Sequence, residues 1–281
     1  MKEYRRRDPA DELQRPVACN SISTKPINHI NENVDPAVLK QNSHIYSNLP
    51  DYVPHLTLEQ QNELHSLLHK HHIVFTDKPG ICKTVSHDIE LMPNVSPIRQ
   101  SPYRLNPHKL AIMKKEVDYL LENGLAEPSS SPWASPSLLV PKEGGDWRFC
   151  TDFRKVNAVT VKDSYPLPRI DTLIDTVGKS AYLSKIDLLK GYYQIRLTPR
   201  AQRISAFVTP FGLYNYLVVP FGLSNAPATF QRAVNNTIAG LDNVYAYLDY
   251  ILVLANTWDE HLDCLDALLD RLASAGFVAN L

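Results

Sequence analysis

Val244-Tyr-Ala-Tyr-Leu-Asp-Tyr-Ile-Leu-Val-Leu254 is apolar on both sides of a single acid, Asp249, and reads as a buried hairpin with that acid at its bend. A carboxylate placed there is expensive to desolvate and needs a partner or a metal. Downstream, Thr257 boxed by Glu260 starts a helix, with Leu262, Leu265, Leu269 and Leu272 expected inward and Asp259, Asp263, Asp266 and Asp270 outward. Upstream, a helix from about 226 to 239 closes at Gly240. Strand-like segments precede it at about 181–187, 192–197, 203–209 and 214–219, interrupted by Pro210-Phe-Gly212. The first of these, Tyr182-Leu-Ser-Lys-Ile186, ends in a second acid, Asp187, with the same difficulty. Taken alone, either aspartate is equally a salt-bridge partner or a turn cap.

Further out, Ile170, Leu173, Ile174 and Val177 follow helical spacing and end at Gly178. Leu138-Leu-Val140, the turn Glu143-Gly-Gly-Asp146 and Trp147-Arg-Phe-Cys-Thr-Asp-Phe153 form a β-hairpin signature. Asn106 as N-cap, Pro107 at the first helical position and Leu110, Met113, Val117, Leu120 and Leu121 on one face give another helix, stopped by Gly124. Thr57 with Gln60 caps a helix whose stripe is Leu64, Leu67 and Leu68. Residues 1–43 are polar and lack sustained periodicity, which predicts a poorly ordered leader. Strands and helices mixed in this irregular order argue for an α+β fold.

Composition narrows the function classes. With 44% hydrophobic and 21% charged residues the chain is neither disordered nor membrane-like. No apolar run is long enough to span a bilayer and the N-terminus lacks the apolar core of a secretory signal, so the expected address is intracellular, in cytoplasm or nucleus. Cys19, Cys82, Cys150 and Cys264 form no C-x-x-C pair and read as reduced thiols. His65, His69 and His72 share a helix face without an H-E-x-x-H pattern, which reads as solvated surface rather than zinc. Charge is uneven: Lys/Arg against Asp/Glu is 10 to 12 over residues 1–98, 17 to 11 over 99–203 and 2 to 7 over 204–281, or −2, +6 and −5. The basic middle third is the candidate nucleic-acid face, or else a charge fluctuation on a solvated surface.

Tyr247-Leu-Asp-Tyr250 resembles the Y-x-D-D signature of reverse transcriptases with its fourth residue changed. Leu139-Val-Pro-Lys142, Trp147 to Asn157, Tyr165-Pro-Leu-Pro168, Ser184-Lys-Ile-Asp187, Gly191-Tyr-Tyr-Gln-Ile195 and Val219 to Gln231 resemble, in order, the polymerase of Ty3/gypsy-type LTR retrotransposon Pol polyproteins. The resemblance covers roughly 85–281 as fingers and palm of a right-hand polymerase fold, and 44–84 as the segment preceding it. It implies RNA-directed DNA polymerisation with two Mg²⁺ ions, or Mn²⁺, a template-primer of RNA or DNA, and dNTP as substrate. By position, Asp187 and Asp249 would be catalytic metal ligands. Lys142 and Arg148 would hold the triphosphate, Tyr192 would exclude a 2′-hydroxyl, Phe221 and Gly222 would pack on the nucleotide, and Leu248 would border the primer end. The plainer alternatives are core aromatics for Tyr192 and Phe221 and a solvated turn for Lys142 and Arg148.

Two departures from the family pattern shape the expectations. Tyr250 stands where the family has its second adjacent aspartate, and a phenol with a pKa near 10 is a poor Mg²⁺ ligand. Losing even an outer partner of a metal commonly costs ~10–100-fold in affinity or activity, so metal binding is expected to be weak or absent and polymerisation severely reduced. The sequence also ends after the helix that follows the hairpin, which predicts an incomplete palm with an unprotected edge, no thumb and no RNase H. The other readings are a domesticated, non-catalytic protein binding RNA or RNA–DNA duplex, and a decayed copy that does not fold.

Overall fold

The computed structural model describes residues 17–18, 45, 47–141, 147–168, 177–178 and 180–281. Most of the expected leader, the 143–146 turn, Lys142 and nearly all of the helix expected over 170–178 lie outside these residues. The strands are β1 (Val17–Ala18), β2 (Ser86–His87), β3 (Ala126–Pro128), β4 (Ser135–Pro141), β5 (Trp147–Thr151), β6 (Tyr182–Leu188), β7 (Arg196–Leu197), β8 (Phe207–Thr209), β9 (Gly212–Tyr216), β10 (Val244–Tyr247), β11 (Tyr250–Ala255) and β12 (Ala279–Asn280). The α-helices are α1 (Leu49–Tyr52), α2 (Leu58–Lys70), α3 (Pro107–Glu122), α4 (Arg154–Ala158), α5 (Pro199–Ile204), α6 (Ala226–Ile238) and α7 (Trp258–Ala275). One sheet runs β1-β6-β11-β10 with β12 also on β6, and a second runs β3-β9-β8-β4-β5, so the mixed α+β class is observed.

The first sheet explains why its strands form as they do. In β6, Ile186 and Leu188 are buried while Lys185 is exposed and Asp187 half-buried; in β11, Ile251 and Val253 are buried and Tyr250 is exposed. Alternation of this kind seals one face and leaves the other open. The closed face carries α6 and α7, and Phe230, Val234, Leu265, Leu268 and Leu272 share its core. The hairpin is therefore buried on one face only: Tyr245 and Tyr247 are half-buried.

Helix caps follow the sequence. Thr57 and Thr257 form complete capping boxes with Gln60 and Glu260, and the Asn106 side chain accepts from the Lys109 N–H. On α7 the buried face is His261, Leu265, Leu268, Leu269, Leu272 and Ala275, with Leu262 only half-buried, a rotation from the expected stripe. A hydrogen bond between His261 Nε2 and Ser184 Oγ, 2.7 Å, ties that face to β6. Asp266 is likewise not simply outward, because Lys70 donates to it at 2.6 and 2.8 Å and His71 Nε2 lies 2.6 Å away. His65, His69 and His72 are exposed, with successive ring centroids 6.4 and 6.3 Å apart.

Three strand expectations need correction. Residues 192–197 are mostly a 3₁₀ turn, Gly191–Gln194, leaving only Arg196–Leu197 as strand. Lys190 at φ 48 opens that turn, and Gly191 lies against Phe230, whose Cζ would be 2.8 Å from an added Cβ. Over 203–209, α5 ends at Ile204 and only Phe207–Thr209 is strand, because the Thr198 side chain accepts from Ala201 N–H and Pro199 opens the helix. The edge of β6 is also not bare: Ala279 pairs with Leu188 and Asn280 with Asp187, while Val17 and Ala18 pair in parallel with Tyr182 and Leu183. Gln194, fully buried, fastens this edge, its Nε2 donating to Val278 O at 2.8 Å and its Oε1 accepting from Val278 N–H at 2.7 Å.

Candidate active site

The register of the first sheet assembles the site. Tyr250 is the direct antiparallel partner of Asp187, and Tyr247 pairs with Tyr250, so the two-residue bend Leu248-Asp249 projects beside the end of β6. Residues directly opposite in such a pair share a face, which puts Asp187 and Tyr250 together on the open side. The Asp249 carbonyl accepts from Leu188 N–H at 2.8 Å, fixing the bend to the strand that carries the other aspartate.

The bend is held from behind. Leu248 has φ 51, a left-handed conformation that a leucine adopts at some cost. Its N–H donates to Gln231 Oε1 at 2.7 Å, while Gln231 Nε2 donates to Ala246 O at 3.1 Å and Asn235 Oδ1 at 2.9 Å. Asn235 in turn donates to Tyr165 Oη at 2.8 Å. Gln231 is fully buried on α6, so this amide is a rigid strut under the bend.

These groups lie close enough to influence one another's charge. Burial, then the Asp249 charge, raises the Asp187 carboxyl above its usual range, opposed by a hydrogen bond from Asn280 Nδ2 (3.3 Å) and by Lys185. The Tyr192 and Tyr250 phenols are both raised, first by burial and then by Asp249. Tyr250 is thus neutral at physiological pH and offers no anionic oxygen. Instead its ring carries Lys185, whose Nζ is 3.8 Å from the centroid.

Around this centre, the Tyr192 ring meets Phe221 edge-on at 5.3 Å and Phe230 at 5.4 Å. Phe221 is itself exposed, and Gly222, at φ 99, is pinned by Asn157, whose Nδ2 donates to the Gly222 carbonyl at 2.7 Å. The Asn157 Oδ1 accepts from Ser224 N–H at 2.9 Å. Asp187, Asp249, Tyr250, Leu248, Tyr192, Phe221 and Gly222 are therefore one neighbourhood. Arg148 is exposed on β5 in the second sheet, opposite Val140, and Lys142 lies outside the described residues.

Asp187 and Asp249 are two half-buried carboxylates, oxygen donors of the kind that could hold one hard divalent cation. They do not supply a second, and among the described residues no group of three or more His, Cys, Asp or Glu could hold a metal. Reading the sequence missed Gln231, Asn157 and Gln194, which position the site from behind, and Asn280, which donates directly to the Asp187 carboxylate. Their signal was faint: amides between apolar neighbours, as in Tyr193-Gln-Ile195 and Ala279-Asn-Leu281, must find partners if the segment is buried.

Residues 140–281 match the family described as reverse transcriptase (RNA-dependent DNA polymerase). The retrovirus-related Pol polyprotein from transposon 297 of Drosophila melanogaster is 35% identical over 238 residues, 81% of this chain and 22% of that protein. The transposon Tf2-3 polyprotein of Schizosaccharomyces pombe is 33% identical over 186 residues, 66% of this chain and 14% of its own. Among solved structures, foamy viral protease-reverse transcriptase in complex with dsDNA superposes with a TM-score of 0.77 at 25% identity, covering 85% of this chain and 50% of that one. The prototype foamy virus protease-reverse transcriptase superposes at 0.75 and 25% identity, covering 88% and 33%. The chain thus spans well under two thirds of each of these proteins, and the strand bearing Asp187 and the bend bearing Asp249 fall inside the matched region. On that match, over half its length, the chain belongs to the reverse transcriptase (RNA-dependent DNA polymerase) family.

Proposed function

We propose that this chain is the fingers and palm of a retrotransposon reverse transcriptase that engages template-primer and dNTP but transfers nucleotides poorly or not at all. The carrying observation is the pairing of Asp187 with Tyr250 across β6 and β11 beside Asp249, which leaves two carboxylates at the centre. In this reading Asp187 and Asp249 are the residues that would hold a divalent ion, weakly for want of a third carboxylate, and such an ion would stabilise negative charge on phosphate oxygens. Tyr192, wedged between Phe221 and Phe230, presents a fixed aromatic edge under the nucleotide sugar and rejects a 2′-hydroxyl by bulk. Asn157 keeps Phe221 and Gly222 in place against the nucleotide, Leu248 borders the primer end, and Lys142 and Arg148 meet the triphosphate.

The experiment is primer extension on an RNA template with Mg²⁺ or Mn²⁺, using the chain, Tyr250→Asp, and Tyr250→Asp with Asp187→Asn. The parent is expected to be inert, Tyr250→Asp to extend the primer, and the added Asp187→Asn to abolish extension. Extension by the parent would overturn the impairment. A second reading, a non-catalytic binder of RNA or RNA–DNA duplex, is supported by the +6 balance of residues 99–203, which is independent of Tyr250. Salt-sensitive duplex binding that ignores Mg²⁺ favours it.

A further inference from the structure

We propose that Lys185, pinned by the ring of Tyr250, is a tethered cation serving the Asp187–Asp249 pair in place of a divalent ion; this rests on reading those aspartates as a metal site. Lys185 and Asp187 are two residues apart on β6 and so point to the same face. Tyr250 is directly opposite Asp187 on β11, on that face too. The Lys185 ammonium, 3.8 Å from the Tyr250 ring centroid, is held there by cation–π attraction.

The tyrosine therefore changes more than ligand count. It removes one negative charge from the centre and also fixes a positive one beside it. That charge sits on the same face as Asp187, two residues along β6. An arriving divalent ion meets both a smaller donor set and a like charge that cannot swing freely away. The carboxylates, meanwhile, are partly neutralised without metal, which lets the sheet tip stay folded when no ion is present.

The test is Mn²⁺ binding by electron paramagnetic resonance, with thermal unfolding in the presence and absence of Mn²⁺ as second readout. The variants are Lys185→Met, Lys185→Arg, Tyr250→Leu and Tyr250→Asp. Lys185→Met is expected to bind Mn²⁺ about tenfold more tightly than the parent, the effect of removing a unit charge roughly 6 Å from a divalent ion even at the dielectric of water. It should also gain Mn²⁺-dependent thermal stability that the parent lacks. Lys185→Arg, which keeps charge and stacking, should match the parent. Tyr250→Leu, which frees the lysine, should gain affinity and serves if Lys185→Met does not fold. If Tyr250→Asp gains Mn²⁺ affinity while Lys185→Met and Tyr250→Leu do not, the metal site stands and the tethered cation is wrong. If Tyr250→Asp gains none, the metal-site reading falls and the inference with it.

Discussion

Replacing Gln231 by leucine should loosen the hairpin that carries Asp249 while leaving little cavity, because the two side chains are close in volume. The amide accepts from Leu248 N–H and donates to Ala246 O and Asn235 Oδ1, at 2.7, 3.1 and 2.9 Å. Without it, one backbone donor and one backbone carbonyl at the bend lose their partner. At about 1–3 kcal/mol for each buried group left unsatisfied, and with the Leu248 N–H only partly buried, the expected loss is roughly 2–4 kcal/mol. That corresponds to a melting temperature lowered by about 5–15 °C for a chain of this size. Urea unfolding measures the loss, and hydrogen exchange over 244–255 localises it. Leu248→Gly supplies the decisive control, since glycine takes φ 51 without strain. It should recover part of the Gln231→Leu loss, an interaction term of about 0.5–3 kcal/mol in a double-mutant cycle. A Gln231→Leu protein within about 0.5 kcal/mol of the parent, or a Leu248→Gly effect identical in both backgrounds, would refute the strut.

Two glycines with nearly equal φ separate strain from crowding. Gly240→Ala (φ 79) meets nothing within 4 Å and should cost about 1 kcal/mol, whereas at Gly276 (φ 82) an added Cβ would overlap the Ile81 carbonyl oxygen, raising the cost to roughly 3 kcal/mol or more; equal losses in urea would contradict the close approach. The pH dependence follows from His87 and His261, each lowered to about 4 by burial. Their folded pKa lies below the unfolded value near 6.5, so their contribution is complete above that pH and is lost as pH falls towards 4. For His87 alone this amounts to about 2 kcal/mol by pH 5, and His87→Gln should flatten the slope of stability between neutral pH and pH 5; an unchanged slope would show that His87 is not the titrating group.

Elements whose signals are local were legible in the sequence. The capping boxes at Thr57 and Thr257, the Asn106-Pro107 start and the β4–β5 and β10–β11 hairpins follow from residues a few positions apart. Asp187 and Asp249 stood out because an acid in an apolar segment needs a partner, and the strand register brings the two together, but their role as metal ligands rests on the resemblance alone. What stayed hidden depends on distant partners. The Gly191–Gln194 turn depends on the Phe230 ring, the α7 face on a bond to Ser184, and the β6 edge on Gln194 gripping Val278, 84 residues away. Thr198-Pro199 is a local helix start, capped by the Thr198 side chain, that the strand expectation over 203–209 passed over. Lys185 over Tyr250 was invisible in one dimension because it joins two strands through their register.

That register also bears on how such a protein changes over generations. Ile186, Leu188, Ile251 and Val253 seal the helical side of β6 and β11, while Lys185, Asp187 and Tyr250 alternate with them on the open side. The core and the proposed site are thus written in alternate letters of the same two segments. A substitution at an open-side position escapes scrutiny by the core, so catalytic competence can drift away while the scaffold is inherited unharmed. Reversal is equally unobstructed, because Tyr250, 37% exposed, fills no cavity that an aspartate would have to vacate.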